Sequence, residues 1–116
     1  MINSDYVDSN QGYFDPNEVV EELKRGFDRF LSNTSHHPHA TKAREHQLAG
    51  GQHPRVALLA CSDSRVPVEV IFDAGFGDLF VIRNAGNTNT FGSAGSIEYA
   101  VLDLNVSVLL VMSHEG

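Results

Sequence analysis

Cys61-Ser62-Asp63-Ser64-Arg65 puts a thiol, a carboxylate and a guanidinium into five residues directly after an apolar run. A second apolar run ends just before His114. Sulfur, imidazole nitrogen and carboxylate oxygen together form a zinc-type donor set, because zinc accepts all three in a tetrahedron. Arg65 is close enough in sequence to pair with Asp63. That pair would hold the carboxylate off a metal and leave a position for water. Each residue also has a plainer reading. A lone cysteine after a strand is more often a small buried hydrophobe than a ligand. A lone histidine there is usually a polar end cap, and Asp63 with Arg65 could be a structural ion pair.

Competing chemistries fit less well. Cys61 and His114 could be a thiol nucleophile and its base. A phosphate-cradling cysteine loop would need its arginine later and a Gly-rich turn between. Neither Gly50-Gly51 nor Gly92-Ser93-Ala94-Gly95 leads into Lys-Ser or Lys-Thr, so a nucleotide-binding P-loop is absent. His36, His37 and His39 around Pro38 read as a solvated loop, with adventitious metal binding as the alternative.

The elements that must position these groups follow from periodicity. Residues 1–14 mix Asn, Ser, Asp and Gly and read as a mobile arm, leaving residues 15–116 as a single domain. Asp15-Pro16-Asn17-Glu18 is a helix start, with Asp15 as cap, Pro16 at the first position and Glu18 as capping-box acid. Val19, Leu23, Phe27, Phe30 and Leu31 then form one apolar stripe that has to be covered. A weaker helix is expected over 40–48. The continuous run Val56-Ala57-Leu58-Leu59-Ala60 reads as a strand covered on both faces of a parallel sheet. Strands are also expected over 78–82 and 106–112, with a helix over 96–104 between them. This alternation predicts an α/β domain, a class in which ligands gather at the carboxyl ends of the strands. Cys61, Asp63 and His114 all stand at such ends.

Composition excludes several classes. With 41% hydrophobic and 20% charged residues the chain is an ordinary globular sequence. A formal net charge of -7 argues against nucleic acid and against a basic membrane patch. The single cysteine rules out an intrachain disulfide and suits a reducing compartment. The first residues lack a signal-peptide pattern, and no stretch has the length of a membrane span, so a cytoplasmic location is the expectation.

Taken jointly, the motifs resemble one family. Cys61-Ser62-Asp63-Ser64-Arg65-Val66, Glu69, Phe72-Asp73, Gly77-Asp78-Leu79-Phe80-Val81, Arg83-Asn84-Ala85-Gly86-Asn87, Ser96-Ile97-Glu98-Tyr99-Ala100-Val101 and His114 are similar to the β-class carbonic anhydrases. The resemblance runs in order from about Leu23 to Gly116. It implies a mostly parallel sheet flanked by helices, and an amino-terminal helical arm wrapped around a partner subunit in a dimer or larger assembly. It implies Zn2+ held by Cys61 and His114, and reversible hydration of carbon dioxide to bicarbonate. Asp63 matches an aspartate that either ligates zinc or swings to Arg65, admitting water. Gln52 resembles a glutamine lining a neighbouring subunit's active site, and Tyr99 an aromatic of the same pocket.

The chain departs from the pattern at its end. The family continues past the histidine to a second cysteine ligand, whereas Gly116 is the last residue here. The expectation is therefore a domain lacking the carboxyl-terminal part of the family fold, with weak or absent hydration by this chain. A non-catalytic oligomerisation remnant, or a carbonyl sulfide or carbon disulfide hydrolase of the same fold, is the alternative. There is no tryptophan, so the regulatory bicarbonate site of some members does not carry over.

Overall fold

The computed structural model describes residues 14–116, and the expected arm over residues 1–13 lies outside the described residues. Phe14 is tied down. Its N–H donates to Ser107 Oγ at 3.1 Å, and the Arg55 guanidinium lies 3.9 Å from its ring centroid. Helix α1, Pro16–Leu31, begins where the sequence places it. The Asp15 carboxylate accepts the Asn17 N–H at 3.0 Å, and Pro16 occupies the first turn, where its missing N–H costs nothing. Its stripe turns inward: Val19 and Leu23 pack on Val56, Leu58 and Ala60 of the sheet. The first half of the stripe is therefore covered by the chain's own sheet rather than left for a partner subunit. Its second half stays partly open, with Phe27 39%, Phe30 37% and Leu31 64% exposed. Spacing shows that a helix has an apolar face but not which surface covers it.

The sheet has three parallel strands in the order β2-β1-β3, namely β1 Val56–Cys61, β2 Leu79–Asn84 and β3 Val108–Val111. Val56 pairs with Leu79 on one side and Val108 on the other, so all three strands end along one edge. Helix α1 and the short α3, Val68–Ile71, cover the face carrying Val56, Leu58 and Ala60. Helix α4, Phe91–Leu102, covers Ala57 on the other face through Ala100. It starts earlier than the Ser96 suggested by periodicity, because Thr90 and Ser93 form a reciprocal capping box. Residues 91–95 carry two glycines and a serine, which hid the first turn. As an edge strand β3 buries Val108 and Leu110 more than Leu109 and Val111, because α4 packs on β1 and β2.

Helix α2, Lys42–Gln47, is capped by Thr41. In the segment before it His36 and His37 are exposed, as expected of a solvated loop, but their backbone is pinned and the His39 side chain is buried. Asp73 accepts the N–H groups of His36 and His37 at 2.9 Å each and Arg29 Nε at 2.6 Å. Burial works to raise the Asp73 pKa, but these donors prevail and bring it down to about 2. His39 is buried with Nδ1 2.8 Å from Asp78 Oδ1, while Asp78 Oδ2 accepts the Gly75 N–H at 2.8 Å. Here burial prevails, and Asp78 titrates above the usual carboxylate range. Among the described residues no helix is long and apolar enough to cross a membrane.

Candidate functional site

Cys61 ends β1 and pairs in register with Asn84, which ends β2. Beyond Asn84 the backbone turns through a short 3-10 segment, Ala85–Asn87, in which Gly86 has φ 78°. The Asn84 side chain clamps this turn: Oδ1 accepts the Thr88 N–H at 2.7 Å and Nδ2 donates to Thr88 O at 2.8 Å. The clamp aims the Gly86 N–H at Cys61 Sγ, 3.4 Å away, and the Asp63 N–H reaches the same sulfur at 3.4 Å.

His114, just past β3, stands beside Cys61. The His114 imidazole is the main cause that draws the Cys61 pKa down to about 7, and the Asp63 and Gly86 N–H groups add to it. Cys61 in turn raises the pKa of His114, helped by Glu115 O. Asp63 is gripped by Arg65, with Nε 3.0 Å from Oδ1 and Nη2 2.7 Å from Oδ2, and the Arg65 N–H also donates to Oδ1 at 2.8 Å. These bonds hold the Asp63 carboxyl well below the usual carboxylate range. His114 Nε2 lies 3.9 Å from Asp63 Oδ2.

The fold thus brings together Cys61, Asp63, Arg65 and His114, four of the residues singled out from sequence. Gln52 and Tyr99 are not brought to them. Gln52 is exposed before the start of β1, the full length of the strand from Cys61. The Tyr99 ring packs on Phe80 at 5.9 Å, near the beginning of β2 rather than its end. Sequence reasoning assigned no role to Arg83, Asn84 or Gly86. The strand-end rule that flagged Cys61 would have found them, since β2 ends beside β1. Arg83 donates through Nε to Cys61 O and through Nη2 to Asp63 O, both at 2.8 Å. Among the described residues no group of three or more His, Cys, Asp or Glu side chains is gathered into a metal cage, and Asp63 is turned to Arg65.

A sequence model of the carbonic anhydrase family matches residues 56–116, the stretch that holds this cluster. The chain belongs to the carbonic anhydrase family. Carbonic anhydrase 2 of Mycobacterium tuberculosis is 42% identical over 101 residues, covering 87% of this chain and 49% of that protein. Carbonic anhydrase of Synechococcus elongatus is 47% identical, over 82% of this chain and 36% of the relative. Among solved structures the β-carbonic anhydrase CcaA superposes with a TM-score of 0.61 at 33% identity, over 85% of this chain and 48% of that one. The chain spans about half the length, or less, of the curated relatives it matches. Its fold is that of the β class, with the three-stranded parallel sheet and flanking helices described above.

Proposed function

We propose that this chain supplies the Cys61–His114 part of a zinc site in a β-class carbonic anhydrase that reversibly hydrates carbon dioxide to bicarbonate. The observation that carries this reading is the placing of Cys61 and His114 at two strand ends, with Asp63 and Arg65 beside them. The donor chemistry fits zinc. A thiol drawn to about 7 offers thiolate at neutral pH, and zinc takes sulfur with imidazole nitrogen readily. Bound zinc lowers the pKa of a coordinated water from 15.7 to roughly 7.

The chain's own residues do the rest. The Asp63 and Gly86 N–H groups orient the Cys61 sulfur. Arg65 keeps Asp63 ionised, so the carboxylate can accept a hydrogen bond from a water and turn it toward substrate. Asp63 can serve as a third donor only by leaving Arg65. A site of Cys61, His114 and an alternating Asp63 lacks three fixed ligands beside an open position, so hydration by this chain is weak. Gln52 and Tyr99 would line such a pocket only from a second copy. Self-association is supported by the tetrameric β-carbonic anhydrases of Sordaria macrospora, 31% identical to this chain. The lone cysteine supports a cytoplasmic, reducing location.

Elemental analysis with stopped-flow hydration assays tests this reading. Cys61→Ser is expected to remove most bound zinc, and the zinc-loaded wild-type chain should hydrate carbon dioxide near the buffer rate. Unchanged zinc in Cys61→Ser would sink the ligand assignment. Robust hydration that Asp63→Ala abolishes would show that another group completes the site.

A further inference from the structure

We propose that Arg83 is a positioning residue for the Cys61–Asp63 turn, acting on it through the backbone. The inference rests on the zinc reading above. Arg83 lies on β2 opposite Ala60, one pair before the strands end, and its guanidinium crosses the end of β1. Nε donates to Cys61 O and Nη2 to Asp63 O, each at 2.8 Å. Both bonds go to main-chain carbonyls rather than to the Cys61 sulfur or the Asp63 carboxylate.

Guanidinium nitrogens form a rigid planar fork. Two carbonyls held on one fork fix the orientation of residue 61 relative to residue 63. That orientation decides where the Cys61 sulfur and the Asp63 carboxylate point. It also decides whether the Asp63 N–H reaches the sulfur, a contact already at 3.4 Å. Arg65 and Arg83 thus divide the work. Arg65 grips the Asp63 side chain from within the turn, whereas Arg83 holds the turn itself from the neighbouring strand. A lysine offers a point donor and cannot hold both carbonyls in one plane.

The test uses the full chain with Arg83→Met, which keeps an aliphatic stem but no donor, and Arg83→Lys. Zinc affinity is measured by competition with a chromophoric chelator. The thiolate-to-cobalt absorption band is recorded on Co2+-loaded protein, and backbone amide exchange is measured without metal. Arg83→Met is expected to weaken zinc binding about 10–100-fold, the usual cost of losing a group that orients a ligand. It should also shift or reduce the cobalt band and speed exchange at Asp63 and Arg65, while the amides inside β1 stay protected. Arg83→Lys should restore part of each. Wild-type affinity, band and exchange in both variants would overturn the proposal, as would uniform loss of protection along β1, which marks general destabilisation. If Arg83→Met does not fold, Arg83→Lys decides by the same criteria. If the wild-type chain takes up neither metal, the zinc reading fails, and amide exchange in the metal-free chain alone decides whether Arg83 holds the turn.

Discussion

Cys61 takes its chemistry from neighbours that are distant in sequence. His114 comes from the end of β3, and Gly86 from the turn after β2, where Asn84 holds it in place. All of these stabilise the thiolate over the thiol, so the Cys61 pKa falls to about 7. The sign is direct: above that pH the sulfur is mostly anionic and nucleophilic, and below it the reactivity fades as the thiol is protonated. In metal-free protein, the rate of alkylation by iodoacetamide should rise with a midpoint about 7, against about 8.5 for an ordinary cysteine. His114→Ala removes the largest cause, so its midpoint should move up. The same midpoint in both proteins would mean that the pair does not form in solution.

At the scale of elements, the connection from α1 to α2 is the segment that the structure recasts most. Its histidines suggested solvent exposure, and His36 and His37 are exposed, yet Asp73 holds their backbone and Asp78 holds the buried His39 ring against the turn before β2. Gly75 permits the approach. A Cβ there would meet the carbonyls of Pro38 and His39, the latter at 2.6 Å, and main chain cannot swing aside as a side-chain tip can. Gly75→Ala should therefore destabilise the fold by roughly 1–3 kcal/mol, the range for overpacking a filled site. A urea titration with the wild-type slope and a lowered midpoint is the expected result. An unchanged midpoint would show that the connection is looser than its hydrogen bonds indicate.

For the whole molecule, apolar surface is left where neither face of the sheet needs it. On α4, Phe91 is 98% and Leu102 78% exposed, and on β3 Val111 is 58% exposed along an open edge. Exposed apolar area of this kind marks interfaces. The expected outcome of sedimentation at micromolar concentration is a dimer or larger, and a monodisperse monomer would contradict it. The longer helices and the strands, the α/β class and the strand-end cluster of Cys61, Asp63, Arg65 and His114 were legible in the sequence, whereas the short helix Val68–Ile71 was not. Each depends on local periodicity and on one general rule about where parallel strands present ligands. Three other features were decided only in three dimensions. The first half of the α1 stripe closes over its own sheet, the His39 side chain is buried against Asp78, and Arg83 reaches across to the Cys61 turn. Each joins residues far apart in the chain, and hydrophobic spacing carries no record of which distant surface or carbonyl a side chain will meet. The Cys61 turn can be read from five consecutive residues, but the groups that hold it in place arrive only when β2 lies alongside β1.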